Sequence, residues 1–400
     1  MTPKAMAGTL INMKLTSKTL VIFLTAMELA SFPLTAMGAT LKYAAWLPFW
    51  KKQEGMQDFA LRMEKFSEIS PFSYEVRADG SLIDSLKMTT GFWPGYLDAV
   101  KDMGIKIIPT IALLDGDQIH ALLSNKARRI KHEDTIAALV KKQKYDGIDI
   151  DYEDKWAKTR VYFNTFLMGL SMRLHAQKKL LTCTVESRMS LADRFKNPPK
   201  TMEYANDYKA MGKYCDTIRI MAYDQGTVDL TLNAKKGLGS FYAPVADPAW
   251  VEKVIKETLK MVSPKKIMLG IPTYGYEYEV SWNDRVTTYK RLRANTFVSA
   301  TKLAQLVGVM PFRNNAGELA LVYPSSTPIS VSKARTSIIS STTPPAGLFT
   351  STSSVTRYAT FSDAQSIMDK VALAKKYGLR GVVLFKMDGD IDPALWNLIK

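Results

Sequence analysis

The stretch that decides the fold is "KYDGIDIDYEDK", residues 144–155, whose segment 146–153 places four acids among strand-forming side chains. Side chains on a strand alternate between its two faces, so Asp149, Asp151 and Glu153 share one face and the apolar side chains share the other. In a parallel barrel the outer face packs on helices, and the active site lies at the carboxyl ends of the strands. We therefore expect the three acids to point into a barrel. Asp146 falls on the apolar side, where a structural role such as holding a turn is expected.

Three carboxylates stacked at intervals of about 6–7 Å cannot all ionise in a partly dry site. At least one should stay protonated near neutral pH, and Glu153, at the carboxyl end, is the candidate general acid. Asp151 can bond Asp149 in one state and the reacting group in another. A Ca²⁺ or Mg²⁺ site is the alternative, but such sites usually draw oxygens from loops rather than from a regular strand. No metal or other cofactor is predicted.

Eight short apolar runs alternate with amphipathic segments such as 159–179 and 248–262, a pattern that predicts βαβ units and a parallel sheet. Eight repeats favour an α/β fold of the (β/α)8 TIM-barrel type over an open sheet. The predicted strands are 42–50, 67–76, 105–113, 145–153, 180–187, 216–224, 266–276 and 381–387.

One interval, about 281–358, breaks this rhythm and predicts a small α+β insertion between strands seven and eight. Its Ser/Thr/Pro-rich run, 340–355, is interpreted as a loop within the insertion, with a long linker as the alternative. A helix over 361–378 restores the pattern, with Ser362 as the expected N-cap and Gly378 as the stop signal. Residues 40–400 are thus assigned to one catalytic barrel.

Residues 1–39 have the features of an export signal: basic residues, the apolar run 19–30 and small residues at 35–39. An uncleaved anchor is the alternative, and either predicts a secreted or envelope-associated protein. The formal net charge of +16 suits an anionic cell wall as a partner. The basic residues are scattered and no nucleic-acid motif accompanies them, so no nucleic-acid partner is predicted, and no protein partner is implied.

The two cysteines, Cys183 and Cys215, lie in or beside predicted strands. A buried free thiol is the expected state at such positions. A disulfide between them is the alternative, which export would permit.

Several motifs in order carry a family resemblance. "DGIDIDYE" (146–153) resembles the DxxDxDxE signature of glycoside hydrolase family 18, "RIMAYD" (219–224) its sixth-strand motif and "LGIPTYGY" (269–276) its seventh-strand segment. Residues 69–82 and 357–385 resemble its bacterial spore-germination-type branch. The resemblance implies a TIM barrel that cleaves β-1,4 bonds of N-acetylglucosamine-containing glycans (chitin, chitooligosaccharides or peptidoglycan) with retention. A non-catalytic lectin on the same barrel is the alternative.

The resemblance also implies roles for particular residues. Glu153 protonates the glycosidic oxygen, Asp151 orients the acetamido group of the substrate, and Asp149 supports Asp151. The nucleophile is the acetamido carbonyl oxygen of the substrate itself. Tyr223 hydrogen-bonds that carbonyl, and the subsite at the cleavage point is lined by Met221 and Asp224.

Aromatic side chains are expected to stack on the sugar rings, and Trp46 and Tyr274 are candidates by position. Phe385 stands where many family members carry tryptophan, a difference that bears on substrate class and affinity rather than on activity. Further candidates, for which packing is at least an equal explanation, are Trp50, Trp93 and Trp282.

Overall fold

The structure, a computed structural model, describes residues 40–282, 287–325 and 356–399. The strands are β1 (Lys42–Leu47), β2 (Glu68–Val76), β3 (Leu82–Asp84), β4 (Lys106–Ile107), β5 (Thr110–Leu113), β6 (Gly147–Tyr152), β7 (Leu180–Glu186), β8 (Thr217–Met221), β9 (Ile267–Pro272), β10 (Tyr274–Trp282), β11 (Thr287–Thr296), β12 (Phe312–Arg313), β13 (Leu319–Pro324), β14 (Thr356–Phe361) and β15 (Gly381–Phe385).

Most helices lie between successive barrel strands in the sequence, whereas α10 belongs to the insertion. The helices are α1 (Lys52–Ala60), α2 (Trp93–Asp102), α3 (Gly116–Ser124), α4 (Lys126–Lys142), α5 (Arg160–His175), α6 (Leu191–Arg194), α7 (Tyr208–Tyr214), α8 (Leu230–Lys236), α9 (Pro248–Leu259), α10 (Phe297–Val307), α11 (Ala364–Lys376) and α12 (Leu395–Leu398).

Parallel strands close on themselves in the order β1-β15-β9-β8-β7-β6-β5-β2, with β2 pairing back to β1. The third barrel strand is divided into β4 and β5, both of which pair with β2. This closed ring with outer helices confirms the predicted TIM barrel.

Strand β6 has the two faces expected from its alternating sequence. Ile148, Ile150 and Tyr152 are buried in the core between barrel and helices. The Tyr152 ring stacks on Phe166 of α5 at 5.7 Å between centroids, and its hydroxyl lies 2.5 Å from Nε2 of His132 on α4. The outward face therefore seats the strand against α4 and α5, which leaves the acids to face the barrel interior.

The insertion is a five-stranded antiparallel sheet in the order β11-β10-β14-β13-β12, with α10 packed on it. It begins at Tyr274, immediately after β9, and ends at Phe361, so it extends beyond the predicted 281–358 at both ends. The predicted loop at 340–355 lies outside the described residues.

A buried carboxyl group fastens this insertion to the barrel. Glu318, just before β13, accepts the backbone N–H groups of Val245 and Ala246 at 3.2 and 2.8 Å. Burial raises the pKa of Glu318, and the charge of buried Lys370 on α11 opposes that shift. The buried carboxyl group of Glu318 therefore joins the insertion to the loop before α9.

Helix α11 begins at Ala364 rather than at 361, and its N-cap lies one residue later than predicted. Asp363, not Ser362, is the N-cap: its carboxylate accepts the Ser366 N–H at 3.1 Å, while the Ser366 hydroxyl accepts the Asp363 N–H. The Ser362 hydroxyl instead donates to the Tyr274 carbonyl at 3.1 Å, so it is used in tertiary packing. Gly378 ends the helix with φ +60°, as expected for a left-handed stop.

The expectation of free thiols is wrong, because Cys183 and Cys215 form a disulfide. Cys183 lies in β7, and Cys215 comes just before the neighbouring β8. Pairing of these strands brings the two Cα atoms to 6.1 Å, within the range of a disulfide. The two cysteines are 32 residues apart in the sequence, and only the pairing of β7 with β8 brings them together.

No helix in the described ranges is long and apolar enough to cross a membrane. The predicted signal or anchor, residues 1–39, lies outside them and stays a prediction.

Candidate active site

Asp149 lies at the bottom of the acidic column and is surrounded by donors. Its Oδ2 accepts from Trp46 Nε1 at 3.1 Å, Thr110 Oγ1 at 2.9 Å and Arg219 Nη1 at 3.2 Å. Its Oδ1 accepts from Thr184 Oγ1 at 2.8 Å. With four donors, one of them cationic, the Asp149 side chain is held in a fixed orientation.

Arg219 extends this contact into a buried charge network inside the barrel. Its side chain is fully buried and donates to Ser70 Oγ at 2.6 Å and to Glu68 Oε2 at 3.2 Å. Glu68 also lies 3.6 Å from Arg380 Nη2. The network balances the negative charge of Asp149 and Glu68 with two guanidinium groups.

The two upper acids lack such partners within the described part of the chain. Asp151 is 4% exposed and its Oδ1 has no hydrogen-bond partner there. Burial raises the pKa of Asp151 well above its usual value, and the neighbouring Glu153 and Asp149 raise it further. Burial, followed by the charge of Glu186, raises the pKa of Glu153 to about 7, while Lys155 opposes this shift.

A carboxyl group with a pKa near 7 can serve both as an acid and as a base at neutral pH. Glu153 directly follows β6, at the carboxyl end of the barrel, and is partly exposed. It therefore has the position and the proton affinity that general acid–base catalysis requires.

Aromatic rings and one acid stand beside this column. The Tyr223 ring stacks on Phe385 with 5.2 Å between centroids and 11° between planes. Tyr274 meets both rings edge-on, at 6.2 and 5.9 Å. The hydroxyls of Tyr274 and Tyr276 donate to Asp224 Oδ1 at 2.6 and 2.8 Å. Since both tyrosines belong to β10, the insertion borders the site.

Asp224 and Met221 lie where β8 ends. Asp224 is exposed and has φ +59°, a left-handed conformation that aspartate tolerates better than most residues. Met221 is partly buried and pairs in register with Glu186 of β7. The structure thus brings both residues to the same end of the barrel as Glu153.

Trp46 does not present a ring to a substrate. It is 2% exposed, donates to Asp149, and lies 5.3 Å from the Arg219 guanidinium. Its burial inside the barrel argues for a supporting role in place of the predicted sugar stacking. Trp93 is likewise buried, whereas Trp50 is 49% exposed.

Three charged residues of the site were not predicted: Arg219, Glu186 and Lys155. Alternation could have revealed two of them, because Glu186 continues the inward-facing series of Thr182 and Thr184 in "LTCTVE". Arg219 is the inward position of "TIRIM" in the same way. Lys155 comes after the strand ends, where alternation gives no signal.

Within residues 40–282, 287–325 and 356–399, no group of three or more His, Cys, Asp or Glu side chains could hold a metal ion. The cations close to the three acids are the side chains of Arg219 and Lys155.

Comparisons with known proteins point to one family. A model of the family "Glycosyl hydrolases family 18" matches residues 98–390. The putative sporulation-specific glycosylase YdhD of Bacillus subtilis is 25% identical over 84% of this chain and 69% of its own. The uncharacterized glycosylase YvbX of the same organism is 29% identical over 45% of this chain, and the match spans only 51% of YvbX.

Solved structures show the same fold. The spore cortex-lytic enzyme SleL of Bacillus cereus matches with a TM-score of 0.67 and 20% identity over 90% of this chain and 73% of its own. A class V chitinase from Pseudomonas fluorescens Pf-5 gives a TM-score of 0.68 and 18% identity over 90% of this chain and 98% of its own.

Proposed function

Since the chain belongs to glycosyl hydrolase family 18, a family of glycosidases, we propose that it hydrolyses β-1,4 bonds of N-acetylglucosamine-containing glycans with retention. The observation that carries the proposal is the contrast within one column of acids. Asp149 is ion-paired, whereas Glu153, at the barrel mouth, has its pKa raised to about 7.

In the proposed reaction Glu153 donates its proton to the glycosidic oxygen as the bond to the anomeric carbon breaks. The carbonyl oxygen of the substrate's 2-acetamido group attacks that carbon and forms an oxazolinium-like intermediate. Asp151 accepts the acetamido N–H, and the Tyr223 hydroxyl donates to the acetamido carbonyl. Water then attacks the anomeric carbon and gives its proton to Glu153, which restores both the enzyme and the original anomeric configuration.

Stacking of the substrate is assigned to Phe385. Phe385 is partly exposed at the end of β15 and forms one layer with Tyr223. Tyr274, a predicted stacking residue, is only 5% exposed, so we propose instead that its hydroxyl orients Asp224. Met221 and Asp224 are proposed to line the subsite at the cleavage point.

Peptidoglycan glycan strands are the substrate we favour over chitin. Relatives named for sporulation and for lysis of cortical fragments, such as an enzyme of Bacillus anthracis with 22% identity over 82% of this chain, support this choice. The formal charge of +16 is suited to an anionic wall.

Export to the cell surface or beyond is proposed with it. Two observations support export: the signal-like composition of residues 1–39, and the Cys183–Cys215 disulfide, since disulfides persist in oxidising compartments.

The test is hydrolysis of an aryl chitobioside and of purified peptidoglycan by the wild type and by Glu153→Gln. We expect turnover by the wild type, with the anomeric configuration retained by NMR, and almost none by the variant. Binding of both proteins to the glycan with turnover by neither would instead identify a lectin. Efficient cleavage of glycans with free amines at the cleavage site would exclude the substrate-assisted route.

A further inference from the structure

A lysine with a buried side chain lies next to the uncompensated acids. The Lys155 side chain is 1% exposed, and its Nζ has no hydrogen-bond partner within the described ranges. It lies 4.9 Å from the centroid of the Phe163 ring on α5 and 3.9 Å from Glu186 Oε1. Burying an ammonium group costs hydration free energy, and here no hydrogen bond offsets that cost. The buried position of Lys155 therefore needs an explanation.

Carboxyl groups face this ammonium from two strands and the loop after β6. Glu186 comes from β7, Asp151 from β6, and Glu153 and Asp154 from the loop itself; each of them favours the charged form of Lys155, which burial disfavours. Glu153 in turn faces Glu186, Asp154 and, from the loop after β8, Asp224. Beyond Lys155 a pocket of about 330 Å³ also carries Arg188, Arg194 and Glu203.

Glu186 is the second half of this arrangement. Its Oε1 accepts the backbone N–H of Asp154 at 3.2 Å, and its Oε2 accepts from the Asn206 side chain. These contacts fix a negative charge beside Glu153, opposite in sign to Lys155. The two groups therefore act on the same proton in opposite directions.

We propose that Lys155 is a positioning residue whose buried charge, balanced against Glu186, sets the pH range in which Glu153 carries the proton it donates. The inference deepens the proposed glycosidase function and rests on it only for its catalytic consequence. Without the cation, burial and the three carboxyl neighbours Glu186, Asp154 and Asp224 would keep Glu153 protonated at higher pH, where the second step needs it as a base.

The test compares variants that shift the charge in opposite directions. Lys155→Met should move the titration of Glu153 upward by about one to two pH units, the size expected for one charge about 6–12 Å away at an effective dielectric constant of about 20. Glu186→Gln should move it downward. Lys155→Arg should return it towards the wild-type value, and Lys158→Met, which removes an exposed cation three residues away, should leave it unchanged.

Two readouts separate this inference from the proposed function. The alkaline limb of kcat/KM on an aryl chitobioside should follow the same shifts. Infrared difference spectra, with the carboxyl band of Glu153 assigned through Glu153→Gln, report its protonation even if no glycan is cleaved. Lys155→Gln replaces the methionine variant if circular dichroism shows that the latter does not fold.

An unchanged Glu153 titration on neutralising Lys155, or shifts of the same sign for Lys155→Met and Glu186→Gln, would overturn the proposal. Absence of turnover by the wild type, with these spectroscopic shifts present, would instead refute the glycosidase function and leave the role of Lys155 intact.

Discussion

The two ends of the acidic strand differ in how their negative charge is balanced. At the bottom, Asp149 accepts four hydrogen bonds and pairs with buried Arg219, so its charge is compensated in place. At the top, Asp151 and Glu153 have no ion pair within 4 Å among the described residues, and burial raises the pKa of each. Carboxyl groups on one face of the same strand thus have different electrostatic environments because of their neighbours.

The largest expected effect follows from removing the donor. Glu153→Gln should lower kcat by about 10³-fold, since general acid–base catalysis contributes roughly 10²–10⁴-fold. Steady-state kinetics on an aryl chitobioside measure this loss. Asp154→Asn is the matched control, because Asp154 is exposed and adjacent; a similar loss there would show that any nearby charge matters.

Removing the cation at the bottom should instead cost stability. Arg219→Met leaves Asp149 and Glu68 buried without their shared partner, and we expect a loss of about 3–5 kcal/mol in the free energy of unfolding. Urea denaturation measures it. Exposed Arg128, replaced by methionine, should change stability by less than about 0.5 kcal/mol.

The pH dependence of kcat/KM should reflect the titration of Glu153, at the top of the acidic column. Because the acid must be protonated, and the pKa of Glu153 is raised to about 7, kcat/KM should fall about tenfold per pH unit above that value. A dinitrophenyl glycoside, whose leaving group needs no proton, should show a weaker decline. Equal declines for both substrates would assign the titration to another group.

Tyr223→Phe should lower kcat about tenfold, the value of one hydrogen bond to a developing charge. The phenyl ring preserves the stack on Phe385, so KM should change less than kcat. A change in KM alone would limit Tyr223 to substrate binding.

The smallest effect should come from one of the four donors to Asp149. Thr184→Val should destabilise the fold by about 1 kcal/mol, because a buried acceptor loses one bond while three remain. Thr182→Val is the control: Thr182 is buried on the same face of β7 and its Oγ1 has no hydrogen-bond partner in the described residues. Thr182→Val should leave the free energy of unfolding unchanged. A loss equal to that of Thr184→Val would show that the hydrogen bond from Thr184 to Asp149 is not what stabilises the fold.

Periodicity was sufficient to predict the barrel and the two faces of β6, because both depend on local alternation. It also placed Glu153 at the carboxyl end of the barrel, whereas Tyr223 and Asp224 were assigned to the site by the family resemblance of "RIMAYD". It failed where proximity depends on strand neighbours: the Cys183–Cys215 bridge joins β7 to the segment before β8. Trp46 was assigned to sugar stacking because strand alternation predicts that it points into the barrel but not how deeply it is buried below the barrel opening.

The charge balance could not be predicted for a related reason. Arg219 reaches Asp149 and Glu68 across the barrel interior. These partners are separated from Arg219 by 70 and 151 positions in the sequence. Such contacts are set by the radius of the closed barrel and by side-chain length, neither of which appears in a local pattern.

The buried contact of Glu318 with the loop before α9 has a consequence for how a glycan reaches the site. Swinging the insertion away would expose this carboxyl group and break its bonds to Val245 and Ala246. We therefore expect the insertion to act as a fixed wall rather than a lid, so that substrate chains slide along it instead of being enclosed by it. The amide hydrogens of Val245 and Ala246 should exchange with deuterium as slowly as those of the barrel strands, with or without a bound oligosaccharide.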